Sequence, residues 1–123
     1  MRLFLLISMI MAFSTTLPAA DWRQFRGNDS SGVSAEKDLP TKWSATENIG
    51  WKAALPGRGL SSPIVVGDRV FVTCSSGFRH DRLHVLCLNA SDGKIRWERQ
   101  FTATGRTMTF PKICNATPSP ASD

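Results

Sequence analysis

The sequence predicts an all-β chain of short antiparallel strands, and three observations support that fold class. Residues 95–101 alternate between apolar and polar side chains, which is the period of a strand with one covered face and one wet face. The dipeptides Asp92-Gly93 and Gly67-Asp68 favour tight turns, because glycine adopts positive φ at little steric cost. A tryptophan-containing segment also recurs, since Trp97 follows Trp51 by 46 positions.

Five segments rich in apolar, β-branched or aromatic residues follow one another after residue 48. Gly, Pro, Ser and Asp residues separate them, and these residue types favour turns for distinct conformational reasons. The predicted strands are residues 49–55, 61–66, 69–74, 83–88 and 95–101. The last four are joined by hairpins and therefore form an antiparallel four-stranded meander.

The turn between the last two predicted strands carries the sequence Asn89-Ala90-Ser91-Asp92-Gly93-Lys94-Ile95-Arg96-Trp97. This stretch resembles the repeat signature of the PQQ-like β-propellers, the family of the quinoprotein alcohol dehydrogenases and the BamB-type outer-membrane assembly lipoproteins. The chain keeps four signature positions at the family's spacing, namely Ala90, Gly93, Lys94 and Trp97. It departs at Asn89 and Asp92, and both substitutes are good turn residues. The resemblance implies that the meander is one blade of a propeller.

Internal repetition supports the same family. Ser62-Pro63 recurs as Thr117-Pro118 after 55 positions, and an insertion after Phe101 accounts for the difference from the tryptophan spacing. A period near 46 residues suits a propeller repeat. In this interpretation Trp51 and Trp97 are packing residues of outer strands. The predicted structural repeat positions are Trp51, Pro63, Gly67, Asp68, Ala90, Gly93, Lys94, Trp97 and Pro118.

The predicted organisation is an incomplete β-propeller preceded by a signal peptide and an irregular leader. The boundaries are residues 1–20 for the signal peptide, 21–47 for the leader and 48–123 for the partial propeller, with one full blade at 61–101, a flanking strand at 49–55 and the start of the next blade at 116–123. A propeller closes with about four to eight blades. We therefore expect the sequence to be the N-terminal fragment of a longer chain that supplies the remaining blades.

The N-terminal residues have the pattern of an export signal. Arg2 precedes an apolar core at residues 3–13, and small residues lead to Ala19 and Ala20 as cleavage positions. The apolar core is too short to span a bilayer comfortably. An uncleaved anchor is the alternative, but either form predicts a periplasmic or secreted chain. No membrane span is expected after cleavage of the signal.

Composition and cysteine usage exclude several classes of function. The formal charge is +5, but the 15 basic residues are scattered, so a nucleic-acid interface is not expected. The three cysteines lack zinc-site spacing. If the second and third strands pair, the sequence places Cys74 near Arg82 and Cys87 near Arg69, too far apart for a disulfide. Cys74 and Cys87 are therefore expected to be small buried side chains, and Cys114 remains unassigned.

No catalytic, cofactor-binding or metal-binding residue is predicted for this chain. His80 and His84 are four positions apart on a loop and a strand, which favours solvation or packing over a metal pair. In quinoprotein dehydrogenases the resemblance implies PQQ and Ca²⁺ held by acidic and amide ligands with a stacking tryptophan, and no such set is recognisable here. We therefore expect a non-catalytic binding or scaffold module whose partners are envelope or secreted proteins. The alternative is the N-terminal part of a PQQ-dependent oxidoreductase whose ligands lie in missing blades.

Overall fold

The computed structural model describes residues 20–110 and 112–123, so nearly all of the predicted signal peptide lies outside the described residues. Four strands form one antiparallel sheet in the order β1-β2-β3-β4. They are β1 (Ile64–Val66), β2 (Arg69–Ser76), β3 (Arg82–Asn89) and β4 (Ile95–Thr102). The described residues contain no helix, and the sheet does not close on itself. The predicted all-β fold class and the four-stranded antiparallel blade are thus confirmed.

Two glycines close the hairpins at one end of the sheet. Gly67 has φ 56° in the β1–β2 turn, and Gly93 has φ 70° in the β3–β4 connection. These are left-handed conformations that side chains with a Cβ adopt only with strain. The sequence identified both positions because tight turns impose this local requirement.

A β-bulge interrupts the pairing of β3 with β4 close to that turn. Cys87 pairs with Trp97 and the next residue, Leu88, pairs with Ile95, so Arg96 is the extra residue on β4. A bulge increases the local twist and redirects the side chains beside it. It sets Arg96 apart from the regular alternation of the strand.

The main cluster of buried apolar side chains lies on one face of the sheet, which we call the covered face. Its buried side chains are Cys74, Leu86 and Leu88. Residues of the preceding segment pack over them, namely Trp51, Ala53 and Leu55. Full burial of a side chain such as Leu86 contributes about 1.5–3 kcal/mol to the free energy of unfolding.

The strand predicted at residues 49–55 is not formed. Its side chains do alternate as predicted, with Trp51 half-buried and Lys52 exposed. No strand is hydrogen-bonded to this segment among the described residues, and a strand requires a ladder partner. The alternation therefore produces packing against the covered face without a fifth strand.

The predicted pairing of the second and third strands is wrong by two residues. Cys74 lies opposite His84 instead of Arg82, and Cys87 lies opposite Phe71 instead of Arg69. An even error keeps every side chain on its predicted face. The two strands are also longer than predicted, because the connecting loop is confined to residues 77–81.

The expectation of a covered face on the last strand is wrong for the described residues. Every residue of β4 is exposed, including Ile95, Trp97 and Phe101 at 47%, 41% and 57%. Trp97 and Phe101 face away from Leu86 and its neighbours, because Leu86 lies opposite Glu98, whereas Ile95 lies beyond the bulge, opposite Leu88. We call this second surface the Trp97 face.

The leader and the C-terminal segment both pack against the sheet without forming strands. The backbone of Trp22 exchanges two hydrogen bonds with Val65 of β1, at 2.8 and 2.9 Å, and so covers part of that edge. Residues 116–123 form no strand, in contrast to the predicted start of a next blade. Instead, the Oγ of Ser119 accepts a hydrogen bond from the backbone N–H of Ser62 at 2.9 Å. This bond holds Ser119-Pro120 beside Ser62-Pro63.

Candidate functional site

The signature residues between β3 and β4 build a hydrogen-bonded turn. The N–H of Gly93 donates to the carbonyl of Asn89 at 2.9 Å, and the N–H of Asn89 donates to the carbonyl of Lys94 at 2.9 Å. The carboxylate of Asp92 accepts the N–H of Lys94 at 3.0 Å, which holds the pKa of Asp92 below its ordinary value. Asp92 and Asn89 therefore serve the turn, even though both depart from the family signature.

Trp51 lies directly on this turn. A Cβ built at Gly93 would collide with the indole ring of Trp51, so glycine is required there by packing as well as by its φ. The indole Nε1 also donates to the carbonyl of Ala90 at 2.8 Å. The fold thus brings together three of the predicted repeat positions, Trp51, Ala90 and Gly93.

Asp68 joins the β1–β2 turn to β4 through an ion pair with Arg96. The Nε of Arg96 also donates to the side-chain oxygen of Asn89 at 2.7 Å. The hydrogen bond from Arg96 lowers the pKa of the Asp68 carboxyl from its ordinary value of 3.8. Arg96 was not predicted as a structural position, and its role follows from the bulge, which the sequence pattern does not display.

The remaining predicted positions do not converge on one site. Trp97 contacts Phe71 with ring centroids 5.9 Å apart. Lys94 is exposed and pairs with Asp92 at 3.0 Å. Pro63 lines a cavity on the covered face with Trp51 and its neighbours. Pro118 lines a different cavity of about 190 Å³.

A polar relay that the sequence did not predict crosses three strands on the covered face. The ring of His84 lies between Ser76 and Glu98, with Nε2 2.7 Å from the serine Oγ and Nδ1 2.6 Å from the glutamate Oε1. A neutral ring that donates from Nδ1 to Glu98 accepts the hydroxyl proton of Ser76 at Nε2. The order of groups is that of a hydrolytic triad, but His84 is only 5% exposed. This burial favours a structural role in which the three side chains hold β2, β3 and β4 together. The sequence did not predict this relay because the predicted pairing of the second and third strands was wrong by two residues.

The three cysteines are free thiols and all are buried, as predicted for Cys74 and Cys87. Burial raises the pKa of the Cys74 thiol and so suppresses its reactive thiolate form. Cys114, unassigned from sequence, is 5% exposed. These features indicate packing roles.

The signature turn does not fit a quinone cofactor. PQQ carries three carboxylates and would need converging cations, a metal and an aromatic face for stacking. The turn cations Lys94 and Arg96 are already paired with Asp92 and Asp68, and the indole of Trp51 is in contact with Gly93. Across residues 20–110 and 112–123, no group of three or more His, Cys, Asp or Glu side chains could hold a metal ion.

Within the same residues, no helix has the length and apolarity needed to cross a membrane.

A comparison with known families agrees with this architecture. The family model described as outer membrane protein assembly factor BamB matches residues 24–109, which is more than half of the chain. No curated protein and no solved structure shows significant similarity to the chain. The family match and the four-stranded sheet together identify a β-propeller-like repeat module.

Proposed function

The chain belongs to the family of the outer membrane protein assembly factor BamB, and on that premise we propose that it is an exported, non-catalytic binding module of the cell envelope. The observation that carries the proposal is the family match over residues 24–109. The family description names an outer membrane protein assembly factor, which supports a role in binding other proteins. The expected partners are envelope or secreted proteins, and the expected location is the periplasm or the exterior of the cell.

Two features of the chain support the proposal, one for binding and one for export. Trp97 and Phe101 on the Trp97 face, and Ile95 beyond the bulge, leave large apolar side chains exposed, and clusters of this kind are typical of interaction surfaces. The apolar core at residues 3–13 and the small residues Ala19 and Ala20 are typical of an export signal. The proposed module would therefore meet its partners outside the cytoplasm.

Chemical cross-linking in intact cells of the host tests the proposal. We expect the tagged full chain to lose residues 1–19 or 1–20 and to cross-link to identified envelope proteins. The matched control carries Leu5→Arg and Leu6→Arg, which interrupt the apolar core of the signal. This variant should keep Met1, remain inside the cell and lose the envelope cross-links. Export without any envelope cross-link, or cross-links that persist in the control, would contradict the proposed function.

A further inference from the structure

A basic cleft lies at the end of the sheet opposite the signature turn. Two connections meet there, the β2–β3 loop at residues 77–81 and the chain that follows β4, because Ser76, Arg82 and Thr102 are in register at this end. The cleft has a volume of about 420 Å³. Its lining residues are Arg79, Gly105, Arg106, Thr107 and Met108.

The walls of the cleft are braced by hydrogen bonds. The side-chain amide of Asn115 donates to the carbonyls of His80 and Thr107, at 2.9 and 2.8 Å, and so ties the two walls together. The N–H of Ala103 donates to the carbonyl of Asp81 at 2.7 Å, which adds a second connection. A cleft held in this way loses little conformational freedom when it binds a ligand.

The charges in the cleft lack partners. Among residues 20–110 and 112–123, neither Arg79 nor Arg106 forms an ion pair with a carboxylate. At the opposite end of the sheet, Arg69 and Arg96 both pair with Asp68. Gly105 precedes Arg106 in the cleft lining with φ 85°, and a Cβ there would meet no atom within 4 Å. The space above its backbone is therefore open to a ligand.

Apolar side chains accompany these cations. Phe78 precedes Arg79 and is 92% exposed, and Met108 in the lining is 73% exposed. Phe110, two residues after Met108, is 78% exposed. An arginine pair bordered by apolar side chains complements a ligand with adjacent carboxylates and an apolar residue. Nucleic acids bind through longer basic tracks that contact several phosphates, and two guanidiniums do not form such a track.

We propose that the Arg79–Arg106 cleft binds an acidic peptide segment of a partner protein, with a carboxylate at each guanidinium and an apolar side chain against Met108. This inference rests on the proposed binding function and specifies the place and the chemistry of recognition. Arginine binds carboxylates through two parallel N–H donors, so the orientation of the peptide is set as well as its charge.

Fluorescence anisotropy with the mature full chain tests the proposal. The probe is a labelled peptide with a Glu-Glu-Phe centre, and the comparison peptide has Gln-Gln-Phe instead. We expect the glutamate peptide to bind at least about tenfold more tightly, with affinity falling as salt rises from about 50 to 300 mM. Arg79→Gln and Arg106→Gln should each weaken binding by about three- to tenfold. Arg106→Lys keeps the charge but should also weaken binding, since it loses the planar pair of donors.

The matched control is Arg99→Gln, which removes the same charge from exposed β4 outside the cleft. It should change the affinity by less than about twofold. Equal losses for Arg99→Gln and Arg106→Gln would overturn the proposal, because binding would then follow net charge alone. Equal affinity for the two peptides, or a preference for an oligonucleotide or for vesicles of anionic lipid, would overturn it as well.

The two proposals can fail separately. Envelope cross-links that persist in the Arg79→Gln/Arg106→Gln variant, together with no binding of the glutamate peptide, would overturn the cleft and leave the envelope function standing. Arginine-dependent peptide binding by a chain that forms no envelope cross-link would overturn the envelope function and leave the cleft standing.

Discussion

Trp51 and Trp97 occupy the same position in two copies of one motif, yet their surroundings differ. Trp51 lies outside any strand, half-buried on Gly93, with its indole N–H bonded to Ala90. Trp97 lies within β4, is 41% exposed and contacts the ring of Phe71. The motif therefore fixes the residue type and the alternation, while the available neighbours decide whether a strand forms and what the indole touches.

The largest effect is expected where Trp51 meets the turn. Gly93→Val should lower the free energy of unfolding by about 2–5 kcal/mol, combining the strain of a left-handed β-branched residue with displacement of the indole. Gly67→Val is the matched control, because Gly67 has a similar φ of 56° but open space around its Cβ. The control should cost only about 1–2 kcal/mol in denaturant unfolding. Equal losses would show that the contact with Trp51 contributes nothing.

Removal of the Trp51 side chain should have the next largest effect. Trp51→Ala should destabilise by about 2–3 kcal/mol, below the range for a fully buried tryptophan because this one is half-buried. Trp51→Phe keeps the ring and loses the hydrogen bond to Ala90, so it should cost only about 1 kcal/mol. Thermal and denaturant unfolding measure both. A larger loss for Phe than for Ala would contradict the packing role.

Trp97→Ala should cost about 1 kcal/mol, since this side chain is partly exposed and has one aromatic neighbour. The same unfolding measurements apply, with Arg99→Ala as an exposed control on the same strand. A loss of about 3–5 kcal/mol, the range for a buried tryptophan, would show that the Trp97 face is covered in solution. That result would make the two tryptophans equivalent and remove the contrast between them.

The next expected effect is a change in the pKa of Asp68 when its partner Arg96 is replaced. Asp68 has a lowered pKa because Arg96 donates to its carboxylate. The stabilisation from this pair is present above the ordinary value of 3.8 and is lost as pH falls through the lower pKa of the folded state. In Arg96→Gln, carboxyl NMR should show the pKa of Asp68 rising toward 3.8. The pKa of Asp92, which depends on Lys94, should stay the same in that variant.

No change at all is expected when PQQ and Ca²⁺ are added. Lys94 and Arg96 at the signature turn are already paired with carboxylates, and Trp51 is in contact with Gly93, so quinone absorbance and tryptophan fluorescence should not respond. The mature full chain is titrated with PQQ, with and without a calcium chelator. Saturable binding at micromolar concentration that the chelator abolishes would favour the oxidoreductase alternative over the binding module.

Local features of the fold were predictable from the sequence, and features that depend on pairing were not. The turns at Gly67 and Gly93 follow from backbone sterics, so the residue types alone identified them. The register of β2 on β3 depends on how tightly the loop closes, and the positive φ of Gly77 and His80 has no clear sequence signal. That register error concealed the relay through His84. The prediction of a strand at residues 49–55 was wrong because it also depended on pairing. A strand requires a hydrogen-bonding partner elsewhere in the chain, and the residue types do not reveal that partner.

The register has a consequence for oxidation. Cys74 and Cys87 lie three ladder positions apart on β2 and β3, which sets them on opposite faces and about 10 Å apart. The folded sheet therefore separates Cys74 from Cys87 and shields both thiols from solvent. Oxidants and alkylating reagents reach Cys74 and Cys87 only when the sheet opens. The rate at which these thiols are labelled therefore reports how often the sheet opens.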